Sequence, residues 1–561
     1  MRDKLFTLLH AHTGAAAIPL DHPDQPEHGD YASSIAMARA REEKRAPMEI
    51  AKEIKESIEQ DPAFTNLLDH IEVAPPGFLN FFFSRSAIAE HIASIGARPD
   101  AWGKNSAYRG KKVMVEYTDP NPFKEFHIGH LMSNAIGEAI SRIIELSGAE
   151  IKRVNYQGDV GLHVAKAVWA MDRLQKKDDE PAHVFLGRCY AFGAARYEQD
   201  ETARAEITLI NKQIFEKSNP QTNAYYDSGL KDSLDYFETI YQRLGTHFDE
   251  YFFESGVGPR GKTLVEQHLE DGIFEQSDGA VIYRGEKKEL HTRVFITSEG
   301  LPTYEAKELG LAYIKQERWP HNLSIVVTGN EIIEYFRVVK AALADIDSTL
   351  APRLARLAQK IAHVPHGMLR LPSGKMSSRT GEVIAANDLL DEAKKRLQEK
   401  TTDEIIAEAA AVGAVKYSIL KQSAGKDIIF DFVTSLSFEG DSGPYLQYTH
   451  ARARSVLERA GNPRETAGLQ SPLAHPSSEM RAVERILFWF PDAIADAHDA
   501  YDPHYVAHYL FSLSQTFNAW YAKERIIGAE SEAYNLALTR AVAATLKNGL
   551  WLLGIPAPER M

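Results

Sequence analysis

Apolar and polar positions repeat with two different periods along this chain, and the changes of period mark its elements. The clearest passage runs from Val113 to Tyr156. Val113–Tyr117 is short, apolar and partly β-branched, which predicts a buried strand. Asp119-Pro120-Asn121-Pro122 ends it, because two prolines fix φ and supply no backbone donor. From His130 the apolar residues return at helical spacing, at Leu131, Ala135, Ala139, Ile143 and Leu146, and Gly148 stops the helix. Ile151–Tyr156 predicts a second strand. Such a βαβ unit presents its ligand at the carboxyl end of the first strand, against the helix N-terminus.

Elsewhere the pattern is coarser. Residues 1–108 predict a separate α+β module. A helical reading starts at His28-Gly29-Asp30-Tyr31 and continues through Ala36, Ala40, Pro47, Ile50, Ala51 and Ile54. Ile71–Val73 and Phe78–Phe83 read as strands about a Pro-Pro-Gly turn. Gly96 to Gly110, interrupted by Gly, Pro, Asn and Ser, reads as a linker. Residues 172–245 are polar and helix-prone, and Leu323–Thr328 is a clean strand. The remainder is nearly all helix, with helical spacing over Val415–Lys421, Tyr445–Arg459 and Val483–Ala500 and a loop-rich interruption at 461–478.

Composition narrows the class. A chain of 561 residues is too long for one core and predicts two to four domains. The 44% hydrophobic and 25% charged content is that of a soluble globular protein. The single cysteine, Cys189, excludes a disulfide framework and a Cys-based zinc site. No apolar run approaches a membrane span, and the opening MRDKLFTLLHAHTG is too polar for a signal peptide, so a reducing cytoplasm is expected. A net charge of −14 argues against indiscriminate nucleic-acid binding, so any RNA partner must be held by local basic patches.

The candidate chemistry sits at the predicted strand-to-helix turn. His127-Ile128-Gly129-His130 puts two imidazoles three residues apart on one face of an opening helix. Both can donate to phosphate oxygens, aided by the free N–H groups and positive end of the helix. Gly129 lacks a Cβ, so a flat base can lie on the backbone there. Four residues alone also fit a surface turn that happens to carry two histidines; the strand, the Pro-Asn-Pro turn and the helix weigh against that. Lys375-Met376-Ser377-Ser378-Arg379, between Pro372 and Gly381, reads by itself as an exposed basic turn. Tyr304 and Glu308 follow Gly300-Leu301-Pro302 and share a helix face. They are an exposed pair, or a phenol and carboxylate that hold a guanidinium, whose planar fork stays charged. Gly158-Asp159-Val160-Gly161 reads equally as a plain turn.

HIGH resembles the signature of class I aminoacyl-tRNA synthetases, and PNPFKEFHIGH with Glu116 upstream resembles its arginyl-tRNA synthetase form. KMSSR is similar to the KMSKS loop of those enzymes, with Ser378 at the usual second lysine. GDYASSIAMARA and PPGFLNFFFS resemble the family's N-terminal additional domain, and YLQYTHARARSVLER and GLWLLGIPAPERM its anticodon-binding helices. The resemblance implies an α/β fold: a Rossmann-type class I catalytic domain over 109–395 with insertions. An N-terminal α+β tRNA-binding domain over 1–108 precedes it, and an all-α stem and anticodon-binding domain over 396–561 follows. It implies a monomeric cytoplasmic enzyme that uses ATP with Mg²⁺ to join L-arginine to tRNA(Arg) through arginyl-adenylate, releasing AMP and pyrophosphate, with no metal held by the protein.

Carried over residue by residue, the resemblance places Pro120, Asn121, Pro122, Lys124, His127, Ile128, Gly129, His130, Lys375, Met376, Ser377, Ser378 and Arg379 around ATP. It places Glu116, Asp119, Asn121, His127, Tyr304 and Glu308 around arginine, and Gln447, Tyr448 and Arg452 on tRNA. The chain departs from the family at three further points. Glu308 is one methylene longer than the usual aspartate, Ile332 stands where a glutamine is common, and Val160 replaces a tryptophan. Lys124 is positioned to take over the role vacant at Ser378. Two other readings stay open: a class I synthetase for another amino acid, against which Glu116 and Glu308 argue, and a silent RNA-binding relative, against which the intact His127–His130 and Lys375 motifs argue.

Overall fold

The computed structural model describes residues 1–23, 25–349, 356–372, 384–461 and 480–561. Five parallel strands form its central sheet: β1 (Lys112–Glu116), β2 (Glu150–Gln157), β3 (Glu250–Phe253), β4 (Leu323–Gly329) and β5 (Ile361–His366). They lie in the order β5-β4-β1-β2-β3. Val113, Met114 and Val115 are all fully buried, as a parallel strand covered on both faces requires. The order reverses between β1 and β4, which pair in parallel with Val326 opposite Glu116. At such a switch point the connections leave on opposite faces and open a crevice at the strands' carboxyl ends.

Helix α1 (Ile128–Leu146) fills the first crossover. It starts two residues before the apolar spacing predicts, because His127 caps it. Gly137 lets α1 lie directly on the Tyr117 ring, where a Cβ would collide. Helices α2 (Glu254–Gln267) and α3 (Tyr304–Arg318) pack on each other beside the sheet. The polar stretch before β3 is three helices, Ala182–Gln199, Glu201–Glu216 and Pro220–Leu244.

The N-terminal module corrects one reading. Tyr31–Ser33 does not begin a helix but pairs antiparallel with Phe78–Phe83. Asp30 fixes that edge: its carboxylate accepts from the Phe83 N–H at 2.8 Å, and the helix starts only at Ile35. Nor is the stretch after residue 96 a loose linker. Trp102 Nε1 donates to Thr545 Oγ1 at 2.9 Å, and Asn548 Nδ2 donates to the carbonyls of Pro99 at 2.7 Å and Trp102 at 3.0 Å. The module also reaches the C-terminal helices through Asp30–Arg485 at 2.9 Å and Arg85–Glu484 at 2.8 Å. Those helices include Glu404–Leu420, Gly443–Arg459, His504–Lys523 and Glu532–Leu552. The predicted helix over Val483–Ala500 is two, Ala482–Leu487 and Phe490–Ala500, and Pro491 lies in the first turn of the second.

Candidate active site

The turn leaving β1 is held in a conformation the chain would not choose alone. Thr118, Asp119 and Phe123 all have positive φ, 81°, 46° and 66°, although none is glycine. Their neighbours fix them. The Thr118 N–H donates to Ser133 Oγ at 2.9 Å, and that hydroxyl donates to the Val327 carbonyl of β4 at 3.0 Å, so α1 stitches the two strands at the switch point. Asn134 Nδ2 donates to Thr118 Oγ1 at 3.0 Å, the Tyr156 N–H donates to Asp119 Oδ1 at 2.7 Å, and the Phe123 N–H donates to Ser233 Oγ at 2.9 Å.

The two imidazoles at the start of α1 stack, with centroids 3.6 Å apart and planes 20° from parallel. His127 Nδ1 accepts from the Gly129 N–H at 3.1 Å, and His130 Nδ1 accepts from the His127 N–H at 3.2 Å. A ring whose Nδ1 accepts carries its proton on Nε2. Burial, with the Lys124 charge adding, holds His127 down at about 4. Burial first, then His127, Lys124 and His366, holds His130 well below the usual imidazole range. Both rings are therefore neutral near pH 7, each with one Nε2–H to give to an anion. Gly129 is needed for a closer reason than a ligand base: a Cβ there would lie 2.9 Å from the His127 ring. Lys124 is half-buried, its ammonium lies 4.9 Å from the Tyr190 ring centre, and burial lowers its pKa.

Across the end of β1 the site is acidic. Glu116 is buried, and its carboxylate is paired with the buried Lys315 ammonium of α3. Burial first, then the Glu116 charge, push Glu308 up to about 8, with Lys315 opposing. The same two causes push Asp119 well above the carboxylate range, against the Tyr156 N–H and Lys315. Three carboxyl groups thus share one ammonium. The next acid, Glu254, is already bonded to Lys307 at 2.5 Å. Tyr304 is exposed at the mouth, with Lys307 5.1 Å from its ring centre, and Tyr335 donates to its carbonyl at 3.2 Å. Asn121 reaches the same region: a Cβ on Gly158 would lie 2.5 Å from Asn121 Oδ1 and 3.2 Å from Glu254 Oε1. Ile332, partly buried, lies in the short 3₁₀ turn Asn330–Ile332 after β4.

The structure thus gathers Glu116, Asp119, Pro120, Asn121, Pro122, Lys124, His127, Ile128, Gly129 and His130 on one continuous turn and brings Tyr304 and Glu308 to it from α3. Lys375, Met376, Ser377, Ser378 and Arg379 lie outside the described residues. Asp159 is committed elsewhere: it accepts from Tyr226 Oη at 2.7 Å and from the Ser255 N–H at 2.8 Å. Lys315 was missed in the sequence, although Tyr304, Glu308 and Lys315 follow one helical face. Among the described residues no group of His, Cys, Asp or Glu is arranged to hold a metal ion.

A second candidate surface lies on the C-terminal helices. A cavity of about 390 Å³ is lined by Tyr448, Arg452, Arg459, Tyr521, Arg560 and Met561 among others. The Arg452 guanidinium lies between two rings, 4.8 Å from that of Tyr448 and 5.3 Å from that of Tyr521. Such a stack offers planar faces and charge to an unstacked base. Gln447 is not brought there. It is fully buried, and its amide donates to the carbonyls of Ala409 at 3.0 Å and Pro556 at 2.9 Å.

Known proteins share this architecture. A family model described as tRNA synthetases class I (R), catalytic domain, matches residues 93–432. The Arginyl tRNA synthetase N terminal domain matches residues 5–83, and the DALR anticodon binding domain matches residues 446–561. The chain is 30% identical over 572 residues to an arginine–tRNA ligase of Treponema pallidum subsp. pallidum, spanning 97% of this chain and 95% of the relative. It is 31% identical over 577 residues to one of Treponema denticola, with 97% and 95% covered. The solved structure of a Thermus thermophilus arginyl-tRNA synthetase superposes with a TM-score of 0.82 at 27% identity, covering 100% of both chains.

Proposed function

The chain belongs to the class I arginyl-tRNA synthetase family, and from that premise we propose how its residues divide the reaction. The enzyme is an arginine–tRNA ligase: it joins L-arginine to tRNA(Arg) in translation, using ATP. Arginine and ATP first give arginyl-adenylate and pyrophosphate; the arginyl group then passes to the tRNA and AMP leaves. No protein nucleophile is required, so the catalytic work is positioning and charge stabilisation.

In our reading, the Nε2–H groups of His127 and His130, the positive end of α1 and the Lys124 ammonium meet the ATP phosphates. Neutral donors suit that task because they need no counter-ion before ATP arrives. Lys375 and its neighbours through Arg379 would join them from their loop. Mg²⁺ would enter on the ATP phosphates and neutralise their charge; we assign it no carboxylate of the chain. Glu308 and Asp119 receive the arginine guanidinium, with Asn121 and Tyr304 bordering it. Glu116 stands behind them, paired with Lys315. Tyr448 and Arg452 take tRNA bases, and the N-terminal module takes another part of the tRNA. We take the enzyme to act as a monomer, and a substrate used in translation supports a cytoplasmic setting. Working divisions near residues 108 and 395 separate the domains.

The observation that supports the reading is that two neutral imidazole donors and a cluster of three carboxyl groups with one ammonium lie on two sides of one strand end. Arginine-dependent ATP–pyrophosphate exchange tests it. We expect exchange with arginine only when tRNA is present. Robust exchange in nuclease-treated, tRNA-free enzyme would refute the tRNA requirement, and exchange with a different amino acid would refute the assignment of the acidic pocket.

A further inference from the structure

Behind the acidic pocket, between α3, β4 and the helix Ile333–Thr349, lies a cavity of about 10 Å³. That is about the room one water molecule needs. Val326 and Phe336 give it apolar walls, and four polar residues line it: Glu308, Lys315, His321 and Ser324. Glu308 and Lys315 stand two turns apart on one face of α3. Lys315 pairs with Glu116 and keeps further N–H groups, because an ammonium has three. His321 Nδ1 donates to the Trp319 carbonyl at 3.0 Å, so Nε2 is the ring's acceptor. Burial holds that ring down at about 4, so it is neutral near pH 7. Ser324 is buried on β4, and its Oγ has no hydrogen-bond partner among the described residues. A buried hydroxyl left unpaired is costly, so the position calls for a partner.

We propose that this cavity binds one water molecule, and that through it Ser324, His321 and Lys315 hold Glu308 in place to receive the arginine guanidinium. The proposal rests on the functional reading above. The lining selects the occupant. Lys315 only donates and the His321 Nε2 only accepts, so the occupant must do both. The ammonium disfavours a second cation, which keeps the guanidinium itself out. The volume admits nothing larger than water. With two protons, the water gives one to His321 and one to Glu308. A hydrogen bond to the ionised carboxylate favours that form, the one a guanidinium needs. Glu308 is also faced by Glu116 and Asp119 at the end of β1, Tyr156 of β2, Glu254 of α2 and Tyr335 of the helix after β4. None of these lines the cavity, so the water acts on Glu308 separately from them. Ser324, His321 and Lys315 are positioning residues that act through Glu308.

A crystal structure of the full-length enzyme should show one ordered water in the cavity, bonded to Ser324 Oγ. Kinetics of tRNA-supported, arginine-dependent pyrophosphate exchange then read its role. Ser324→Val removes the hydroxyl and fills the space. It should raise the arginine KM about tenfold and move the pH at which arginine affinity levels off up by about one pH unit. Ser324→Ala removes only the hydroxyl and should raise the arginine KM about threefold, so it keeps the test decisive if the bulkier variant folds poorly. The ATP KM should stay unchanged in both, which general damage to the fold would not allow. A cavity without water, a wild-type arginine KM and pH profile in the variants, or arginine and ATP KM values that rise together would overturn the water's role and leave the ligase reading standing. A wild type that activates no arginine in the presence of tRNA would overturn both.

Discussion

The histidine turn and the acidic pocket meet at the end of β1, yet they are built on opposite principles. The turn is local: its residues are consecutive, its two Nδ1 atoms are satisfied by its own backbone, and its rings are neutral. The pocket is assembled: Glu116 and Asp119 come from the end of β1, Glu308 and Lys315 from α3, and three carboxyl groups share one ammonium. The turn therefore offers fixed dipoles that cost no proton when an anion arrives. In the pocket, burial and the Glu116 charge hold the Glu308 and Asp119 carboxyls towards their protonated forms, and a cation seated there favours the ionised ones. In the division proposed above, a single strand end reads a guanidinium on one side and a triphosphate on the other.

The comparison predicts that damage to each side is felt by a different substrate. The largest effect should come from Glu308→Ala. Leaving a buried charge without its partner costs about 3–5 kcal/mol, so the arginine KM should rise roughly a hundredfold to a thousandfold. The ATP KM should stay nearly unchanged, and steady-state exchange kinetics read both. An unaltered arginine KM would remove Glu308 from the pocket.

Lys124→Ala should act next most strongly, and on the other side. Losing one charged stabiliser of the phosphates should lower kcat of activation roughly a hundredfold, and adding Ser378→Lys should restore part of it. Near-normal exchange at saturating ATP would show that Lys124 does not serve the triphosphate.

The pH profile sharpens the contrast further. Glu308, raised to about 8 by burial and by Glu116, keeps its proton below that pH in the free enzyme. A guanidinium needs the ionised form. The Glu308 contribution to arginine affinity should therefore climb with pH, by up to roughly tenfold per unit, and level off above pH 8. His127, held at about 4, does not change charge over that range, so the ATP KM should be flat between pH 6 and 8. Parallel profiles for the two substrates would break the distinction.

The smallest effect is expected from His127→Asn. Asparagine is a good N-cap, so α1 should survive with a stability change under about 1 kcal/mol by thermal melting. It removes one Nε2–H donor to a charged group, which should lower exchange by roughly tenfold.

How far the sequence reveals these two regions follows from how each is built. The turn is legible because strand, proline-rich break and helix follow one another and change period in order. Its one error, the start of α1 at Ile128 rather than His130, arises because a histidine cap carries no apolar signal. The pocket is half legible. Tyr304 and Glu308 are four apart, but Lys315 neutralises a residue on a different element, and only the packing of α3 against the sheet reveals that. Gln447 fails for a related reason. An amide suits a nucleotide base and a buried carbonyl equally well, and Gly413, which leaves room for that amide, lies on another helix. Tyr31–Ser33 is too short for any period to show, and its pairing is fixed by Asp30 and a strand about fifty residues away.

The most direct test of the division itself compares arginine with citrulline, its uncharged isostere, in tRNA-supported ATP–pyrophosphate exchange by the wild type and by Glu308→Gln. A site built around a charged, hydrogen-bonded group should reject the analogue by roughly ten-thousandfold in kcat/KM. The account predicts that Glu308→Gln shrinks this ratio by about a hundredfold or more while leaving the ATP KM where it was. A ratio unchanged by the substitution, or an ATP KM that moves together with it, would contradict the account.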